Sequence, residues 1–229
     1  MTTDSVQSAR LLQLCSANLP VGGFSFSQGL EYAVELGWVN SALTLTEWLT
    51  TYFSTSVTRS DLPLLKAQYD AVQHADKTGF VHNDDWVSAT RESEEILLAE
   101  QAMGKALRRL LRNLTDKPSG VAAQWTETVN STCFISQFAL ASHLFGLSPE
   151  LCLSGYMWTI LDSQIAAGTK LIPLGQTDGQ NLLFRLGKDI NHYVEKGMNM
   201  PLTDVGLSMP SMAMASAWHE QQYSRLFRS

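Results

Sequence analysis

The stretch DDWVSATRESEEILLAEQAMGKALRRLLRN, residues 84–113, decides the fold class. Its apolar residues recur at steps of three and four: Ile96, Ala99, Met103, Leu107, Leu110 and Leu111. Acidic side chains come early and basic side chains come late: Glu92, Glu94 and Glu95, then Arg108, Arg109 and Arg112. This period and this charge order predict a long amphipathic helix whose ends complement its dipole. The arginine group is interpreted as a solvated last turn rather than a binding patch.

Helical patterns continue on both sides of this stretch. Ser148-Pro149-Glu150 combines a capping hydroxyl with an N-terminal proline and an early acid, and predicts a helix to about Gly168. Similar patterns cover Leu43–Thr58, Leu62–Ala75, Trp125–His143 and Thr177–Lys196. Only the run 133–140 is ambiguous with a strand, and its length favours helix. The sequence therefore predicts an all-α fold, a single-domain helical bundle of about eight to ten helices.

The C-terminal part has a different composition. Residues 198–212 are rich in methionine and contain two prolines, which predicts an irregular or mobile link to a last helical segment, Ala213–Phe227. Methionine suits adaptable binding surfaces, although filling gaps in a core is as common a reason for it. We therefore divide the chain into a helical domain, residues 1–198, and a segment of residues 199–229. The segment is predicted to comprise a flexible Met-rich link and a C-terminal docking tail that binds partners.

Composition argues against several classes of protein. The net charge is −6 and the basic residues are dispersed, so we expect no nucleic acid partner. The three cysteines are odd in number and widely spaced, which indicates a reducing compartment. No secretory signal pattern and no apolar run of ~18 residues is present, so we expect a cytoplasmic protein without membrane contact. Charged residues are only 17%, which fits either a surface covered by partners or a compact helical protein.

No pattern in the chain has the spacing of an active site. The histidines include no pair at i, i+4, and no Cys-x-x-Cys occurs, so metal ligation is not expected. His219–Tyr223 (HEQQY) imitates a zinc-protease helix but has tyrosine where the second histidine must be. The glycine- and serine-rich loop Leu19–Gly29 has neither phosphate-binding spacing nor a nucleophile elbow, and we interpret it as structural. We expect no catalytic residue, no metal and no cofactor.

Three segments of the chain resemble one protein family. Residues 11–14 (LLQL), leading into residues 19–31 (LPVGGFSFSQGLE), are similar to the opening of the urease accessory protein F family. Residues 170–180 (KLIPLGQTDGQ) are similar to its central motif, and residues 222–229 (QYSRLFRS) to its C-terminal end. The resemblance runs in order over nearly the whole chain. Phe26 and Tyr32 depart from it, since the family pattern has Tyr and Trp there.

The resemblance implies a scaffold protein rather than an enzyme. Members of the family are helical homodimers that bind a second urease accessory protein of the D or H type. The pair then recruits the nickel-carrying GTPase and docks on apo-urease. The alternative is a helical hydrolase or metal-binding enzyme with an unrecognised site. That alternative needs converging ligands or a nucleophile–base pair, and no histidine or cysteine here has workable spacing.

The resemblance also implies roles for particular residues. Partner binding is expected at Lys170, Gly175, Gln176, Gln180, Tyr223, Ser224, Arg225, Leu226 and Phe227. Lys170 and Arg225 would act together in GTPase recruitment, although Lys170 also suits a helix C-terminus. For Gly175, Gln176 and Gln180, the alternative roles are helix capping and close packing. The tail aromatics would dock on the chain's own body or on the partner accessory protein, and we prefer the partner. Tyr156 and Trp158 are expected at the homodimer face, with a core position as the alternative.

Overall fold

The computed structural model describes residues 5–228, and no strand occurs among them. The α-helices are α1 (Ser5–Leu14), α2 (Leu30–Glu35), α3 (Ala42–Tyr52), α4 (Leu62–Gln73), α5 (Lys77–Ala89), α6 (Glu94–Asn113), α7 (Val121–Thr128), α8 (Phe134–Leu144), α9 (Pro149–Leu171), α10 (Gln176–Leu186), α11 (Ile190–Met198) and α12 (Pro210–His219). A π-helix, Phe53–Asp61, makes α3 and α4 continuous, and a 3₁₀ turn, Gly187–Asp189, joins α10 to α11. The predicted all-α bundle is confirmed, with ten helical rods in the described part of the chain.

Residues 94–113 of the stretch that decides the fold class form α6, as their apolar period predicts, but residues 84–89 belong to α5 and the two helices are separated at residues 90–93. The Ser93 hydroxyl accepts a hydrogen bond from the Ile96 N–H at 3.1 Å and caps the helix. Glu94 and Glu95 lie in its first turn and Arg112 in its last. The helix dipole is therefore matched at both ends. None of the helices within residues 5–228 is long and apolar enough to cross a membrane.

Helix α8 forms the centre of the bundle and packs between α4 and α6. Its first part, residues 134–140, comes from the run that is ambiguous in the sequence, and these residues are helical. Nearly every residue is buried, including the polar residues Ser136, Gln137 and Ser142. Small side chains at Ala139 and Ala141 allow neighbouring helices to approach closely. A helix that is apolar on nearly all sides therefore lies in the core rather than at the surface.

The single helix predicted over Trp125–His143 is wrong, because α7 ends at Thr128 and α8 begins at Phe134. The Asp84 carboxylate on α5 stabilises the break by accepting hydrogen bonds from the Ser131 hydroxyl at 2.6 Å and the Cys133 N–H at 3.3 Å. The backbone at residues 132–134 crosses α6 at Gly104, where the absence of a side chain leaves room for it. A side chain there would overlap the carbonyl oxygen of Thr132. Tertiary contacts thus override a continuous helical pattern.

A buried ion group joins the π-helix to α6 and α9. Arg91 Nη1 lies 2.8 Å from Asp61 Oδ1, and Arg91 Nη2 lies 3.1 Å from Glu100 Oε2. The Tyr156 hydroxyl donates to Asp61 Oδ2 at 3.0 Å. Burial raises the pKa of Glu100, and the nearby Arg91 guanidinium opposes that rise. Removing one partner would leave a buried charge unpaired, so the group acts as a unit.

The Met-rich segment is irregular and contacts the helical body at several points. The Ser60 hydroxyl donates to the Leu207 carbonyl at 2.8 Å, and the Met209 N–H donates to the Ser56 hydroxyl at 2.9 Å. The Met209 and Met212 side chains are buried. The last helix runs over Pro210–His219 rather than the predicted 213–227. It ends there because the following residues turn back and bond to α2 and α6.

We predict that Gly104→Ala lowers the free energy of unfolding by about 2–3 kcal/mol, because the methyl group forces the crossing backbone away from α6. The matched control is Gly187→Ala, where a Cβ would meet only the Trp158 ring, at 3.7 Å. That variant is expected to be neutral or up to about 1 kcal/mol more stable. Urea denaturation followed by circular dichroism measures both. Equal losses of stability in the two variants would contradict the close crossing.

Candidate functional site

The C-terminal segment folds back onto the helical body. The Leu226 and Phe227 backbone N–H groups donate to the two carboxylate oxygens of Glu31 on α2, at 2.6 and 2.8 Å. The Arg228 N–H donates to the Ser25 carbonyl of the glycine-rich loop at 2.8 Å. The Phe227 side chain is only 6% exposed. The tail is therefore anchored by charge-assisted hydrogen bonds and by one buried aromatic ring.

Two of the predicted cations flank this anchor. Arg225 Nη1 lies 2.8 Å from Glu95 Oε1 on α6, and the arginine side chain remains 38% exposed. The exposed Lys170 ammonium lies 5.5 Å from the centre of the Phe227 ring, within the range of a cation–π interaction. Lys170 belongs to the last turn of α9. The structure thus brings residues from two distant segments of the sequence to one surface.

A buried histidine connects the two acids that hold the tail. His219 is completely buried at the end of α12. Its Nδ1 lies 2.7 Å from Glu95 Oε2 and its Nε2 lies 3.1 Å from Glu31 Oε2. Glu31, His219 and Glu95 therefore form one connected group, to which the Arg225 guanidinium is added on the solvent side.

The outer face of the tail is open to solvent. Tyr223 is fully exposed and Leu226 is 64% exposed, and Ser224 is also exposed. Phe24 of the glycine-rich loop, next to the Ser25 carbonyl that holds Arg228, is 69% exposed. Exposed aromatic side chains and an arginine on a fixed backbone are typical of protein-binding surfaces. We call residues Phe24, Lys170 and 223–227 the tail surface.

An apolar cavity of about 100 Å³ lies beside the tail surface, under the glycine-rich loop. Its apolar lining includes Leu19, Val21, Phe26, Met103 and Ile160. Lys170 also borders it. The loop thus has a structural role at this place, as its composition predicts, and it also shapes a concavity next to the exposed cations.

The geometry offers no metal centre within residues 5–228: no group of three or more His, Cys, Asp or Glu side chains is placed to hold an ion. Burial raises the pKa of Cys15 to about 11 and that of Cys152 to about 12. Thiols with such values stay protonated near neutral pH, and the protonated form is a poor nucleophile and ligand.

Comparison with known proteins decides the family. The UreF family model matches residues 39–187. The urease accessory protein UreF of Marinomonas sp. (strain MWYL1) is 43% identical over 230 residues, covering 100% of this chain and 96% of that protein. The UreF proteins of Chromohalobacter salexigens and Pseudomonas putida are 41% and 38% identical, with 99% and 96% of this chain covered and 96% of each relative. The chain belongs to the UreF family.

Membership of the UreF family confirms the resemblance seen in the sequence motifs. The family model ends at residue 187 and begins at residue 39, so neither the glycine-rich loop nor the tail lies within it. The full-length relatives cover both regions. The tail surface therefore belongs to the part of the chain that is shared with whole UreF proteins, and not to an unrelated extension.

The predicted residues of the central motif lie at the corner between α9 and α10. Gly175, Gln176 and Gln180 are all exposed at the start of α10. The Gly175 N–H donates to Asp178 Oδ2 at 3.3 Å, which supports the capping alternative. Gly179 allows α10 to approach Thr169 of α9 closely. Their role in partner binding stays a prediction.

The structure corrects one residue of the predicted dimer face. Tyr156 is only 2% exposed, and its ring packs against Phe138 with 5.6 Å between centroids. Its hydroxyl is bonded to Asp61. The assignment of Tyr156 to a dimer interface is wrong, because a residue inside the core offers no surface to a second copy. Trp158, 38% exposed on the same helix, remains a predicted contact.

Sequence reasoning missed Glu31, Glu95 and His219. Glu31 lies in the segment 19–31 that resembles the family but has no role assigned from the sequence, and Glu95 is interpreted there only as a charge that complements the helix dipole. His219 was considered only as a metal ligand. Glu31 and Glu95 are far apart in sequence and His219 follows them by more than a hundred positions. Only the fold brings the three side chains together.

We predict that Glu31→Gln loosens the tail, because an amide replaces two charged acceptors by one neutral oxygen. Amide hydrogen exchange at Leu226 and Phe227 should accelerate by roughly tenfold or more, the effect of losing a charge-assisted hydrogen bond. Glu35→Gln, at an exposed position on the same helix, is the control and should leave exchange at the tail unchanged. If both variants exchange like the native chain, Glu31 does not anchor the tail.

Proposed function

We propose that this UreF-family chain is an adaptor in urease maturation. It binds the D/H-type accessory protein and, with it, brings the nickel-carrying GTPase to apo-urease. The named relatives are urease accessory proteins, which supports a maturation role over the whole chain length. The chain would act in the cytoplasm and by contact alone, without a catalytic residue of its own.

The tail surface is the observation that carries this proposal. Lys170 lies over the Phe227 ring and Arg225 is paired with Glu95, while Tyr223 and Leu226 face solvent. Exposed cations with fixed positions suit an acidic or phosphate-bearing partner, and arginine can bind a carboxylate in a bidentate fashion. The exposed tyrosine and leucine supply apolar area for contact with the accessory protein.

The docked position of the tail gives partner binding a physical advantage. A disordered tail loses conformational entropy when it binds, which weakens the complex. Here residues 225–228 are already fixed by Glu31, Glu95 and the Ser25 carbonyl. We therefore propose that the accessory protein binds the outer face of the docked tail, and that Gly175, Gln176 and Gln180 extend the contact along α10.

A homodimer is also part of the proposal. Trp158 projects from α9 with 38% of its surface exposed, and large exposed aromatic side chains are enriched in interfaces. Two copies joined through this helix would present two tail surfaces to the remaining components.

The experiment is reconstitution of urease activation from purified components, with GTPase capture measured in parallel. We predict that Lys170→Ala and Arg225→Ala keep the complex with the D/H-type protein but reduce GTPase capture, each by roughly tenfold, the loss of one charged interface contact. Lys188→Ala is the matched control for the lysine. Its ammonium is also exposed and lies 5.0 Å from a phenylalanine ring, that of Phe184.

The control variant should capture the GTPase like the native chain. Unchanged capture by both Lys170→Ala and Arg225→Ala would show that these residues have a purely structural role. Urease activation that proceeds equally well without the chain would remove the proposed function altogether.

A further inference from the structure

We infer that the doubly protonated imidazole ring of His219 holds the tail surface in its docked position. We call this arrangement the latch, and we call it closed while the ring carries both protons. The inference deepens the proposed function and rests on it for its biological meaning, since the latch would regulate the surface assigned to partners. The effect of the ring's protonation on the tail concerns this chain alone. It follows from how the ring, the two acids and the tail are bonded to one another.

Both ring nitrogens of His219 face carboxylate oxygens. Nδ1 lies 2.7 Å from Glu95 Oε2 and Nε2 lies 3.1 Å from Glu31 Oε2. A carboxylate only accepts hydrogen bonds, and a neutral imidazole has one N–H and one lone pair. Two good contacts therefore require two N–H groups, which only the positively charged ring possesses. The side chain is fully buried, so no water replaces a missing donor at its surface.

The oxygens of the two acids also face donors from the tail. Glu31 accepts the Leu226 N–H with one oxygen and the Phe227 N–H with the other. Glu95 Oε1 is paired with the Arg225 guanidinium at 2.8 Å. Every oxygen of the two acids thus already faces an N–H donor, which leaves none of them in a position to carry a proton of its own. The proton shared within this group therefore belongs on the histidine.

The charged groups around the ring come from every element packed on it. Glu31 comes from α2, Glu95 from α6 and Arg225 from the tail, while Glu220, next to the histidine, accepts the Glu94 and Glu95 N–H groups at 3.1 and 3.4 Å. The exposed Lys170 on α9 faces the Phe227 ring of the same tail. With a charged ring, the two acids that touch it are balanced by His219 and Arg225. With a neutral ring, one negative charge is left in excess inside the protein.

Loss of the proton acts directly on the tail. One nitrogen then presents a lone pair to a carboxylate at hydrogen-bond distance, which is repulsive and leaves a buried acceptor without its donor. The two carboxylates concerned are the same ones that hold Arg225 and the Leu226 and Phe227 amides. The latch is therefore closed at lower pH and opens as the pH rises through the point where the ring loses its proton.

The test uses the native full-length chain labelled with ¹⁵N. Ring ¹⁵N resonances of His219 and backbone amide resonances of Leu226 and Phe227 are followed by NMR from mildly acidic to mildly alkaline pH. We expect both ring nitrogens to be protonated at the lower end, and the ring and the two amides to change together as the pH rises. Exchange of the two amides with solvent, corrected for its intrinsic pH dependence, should accelerate by roughly tenfold or more.

His219→Gln is the variant that separates charge from packing. A glutamine amide can donate to one acid but cannot titrate, so the pH dependence of the tail amides should disappear while the helical spectrum is kept. If the variant does not fold, the ring measurement on the native chain still decides. The latch is refuted if the ring holds a single proton at every pH at which the chain is folded. It is also refuted if the ring resonances change with pH while the Leu226 and Phe227 amide resonances and exchange rates do not.

Partner capture provides a separate readout of the proposed function. Binding of the purified D/H-type protein and of the GTPase should weaken over the same pH interval in the native chain, and should not do so in His219→Gln. If the ring and tail respond to pH but capture stays constant, the latch is supported and the tail is excluded as the partner-binding surface. The latch and the partner-binding role of the tail surface are therefore tested by different observations.

Discussion

Burying a carboxylate costs several kcal/mol unless donors replace the water that it loses. This chain buries a set of carboxylates in its helical body: Glu31, Asp61, Asp84, Glu95 and Glu100. In each case the donors come from distant parts of the sequence. Asp84 holds the crossing at residues 131–133, Asp61 and Glu100 share Arg91, and Glu31 and Glu95 share His219. Apolar burial stabilises the bundle, and these acids determine where its irregular segments lie.

The C-terminal surface follows from the same rule. The tail is short and irregular, and a segment of this kind usually frays. Here its backbone N–H groups and Arg225 complete the hydrogen bonding of two acids that belong to the core. The positions of Lys170 and the exposed tail residues therefore depend on the interior of the protein. Glu31 and Glu95 thus lie buried behind the surface that the chain is proposed to offer to partners.

Periodicity predicted the helical class and most of the helices, because apolar steps of three and four report directly on one buried face. It failed where long-range contacts decide the backbone. The break at residues 129–133 depends on Asp84 and Gly104, and the end of α12 depends on Glu31 and Glu95. Tyr156 was misplaced because a helix that is apolar all round suits a core or an interface equally well. Motif resemblance found Lys170, Arg225 and Phe227, but no local pattern could show that they meet or that His219 lies behind them.

Capture of the purified D/H-type accessory protein by the full chain and by a chain that ends at Gln222 tests the central claim most directly. The shortened chain keeps α1 to α12 and lacks the tail residues that contact Glu31 and Glu95. If the tail surface is the partner-binding surface, the shortened chain keeps its helical circular dichroism spectrum and loses capture. Capture equal to that of the full chain would contradict the account.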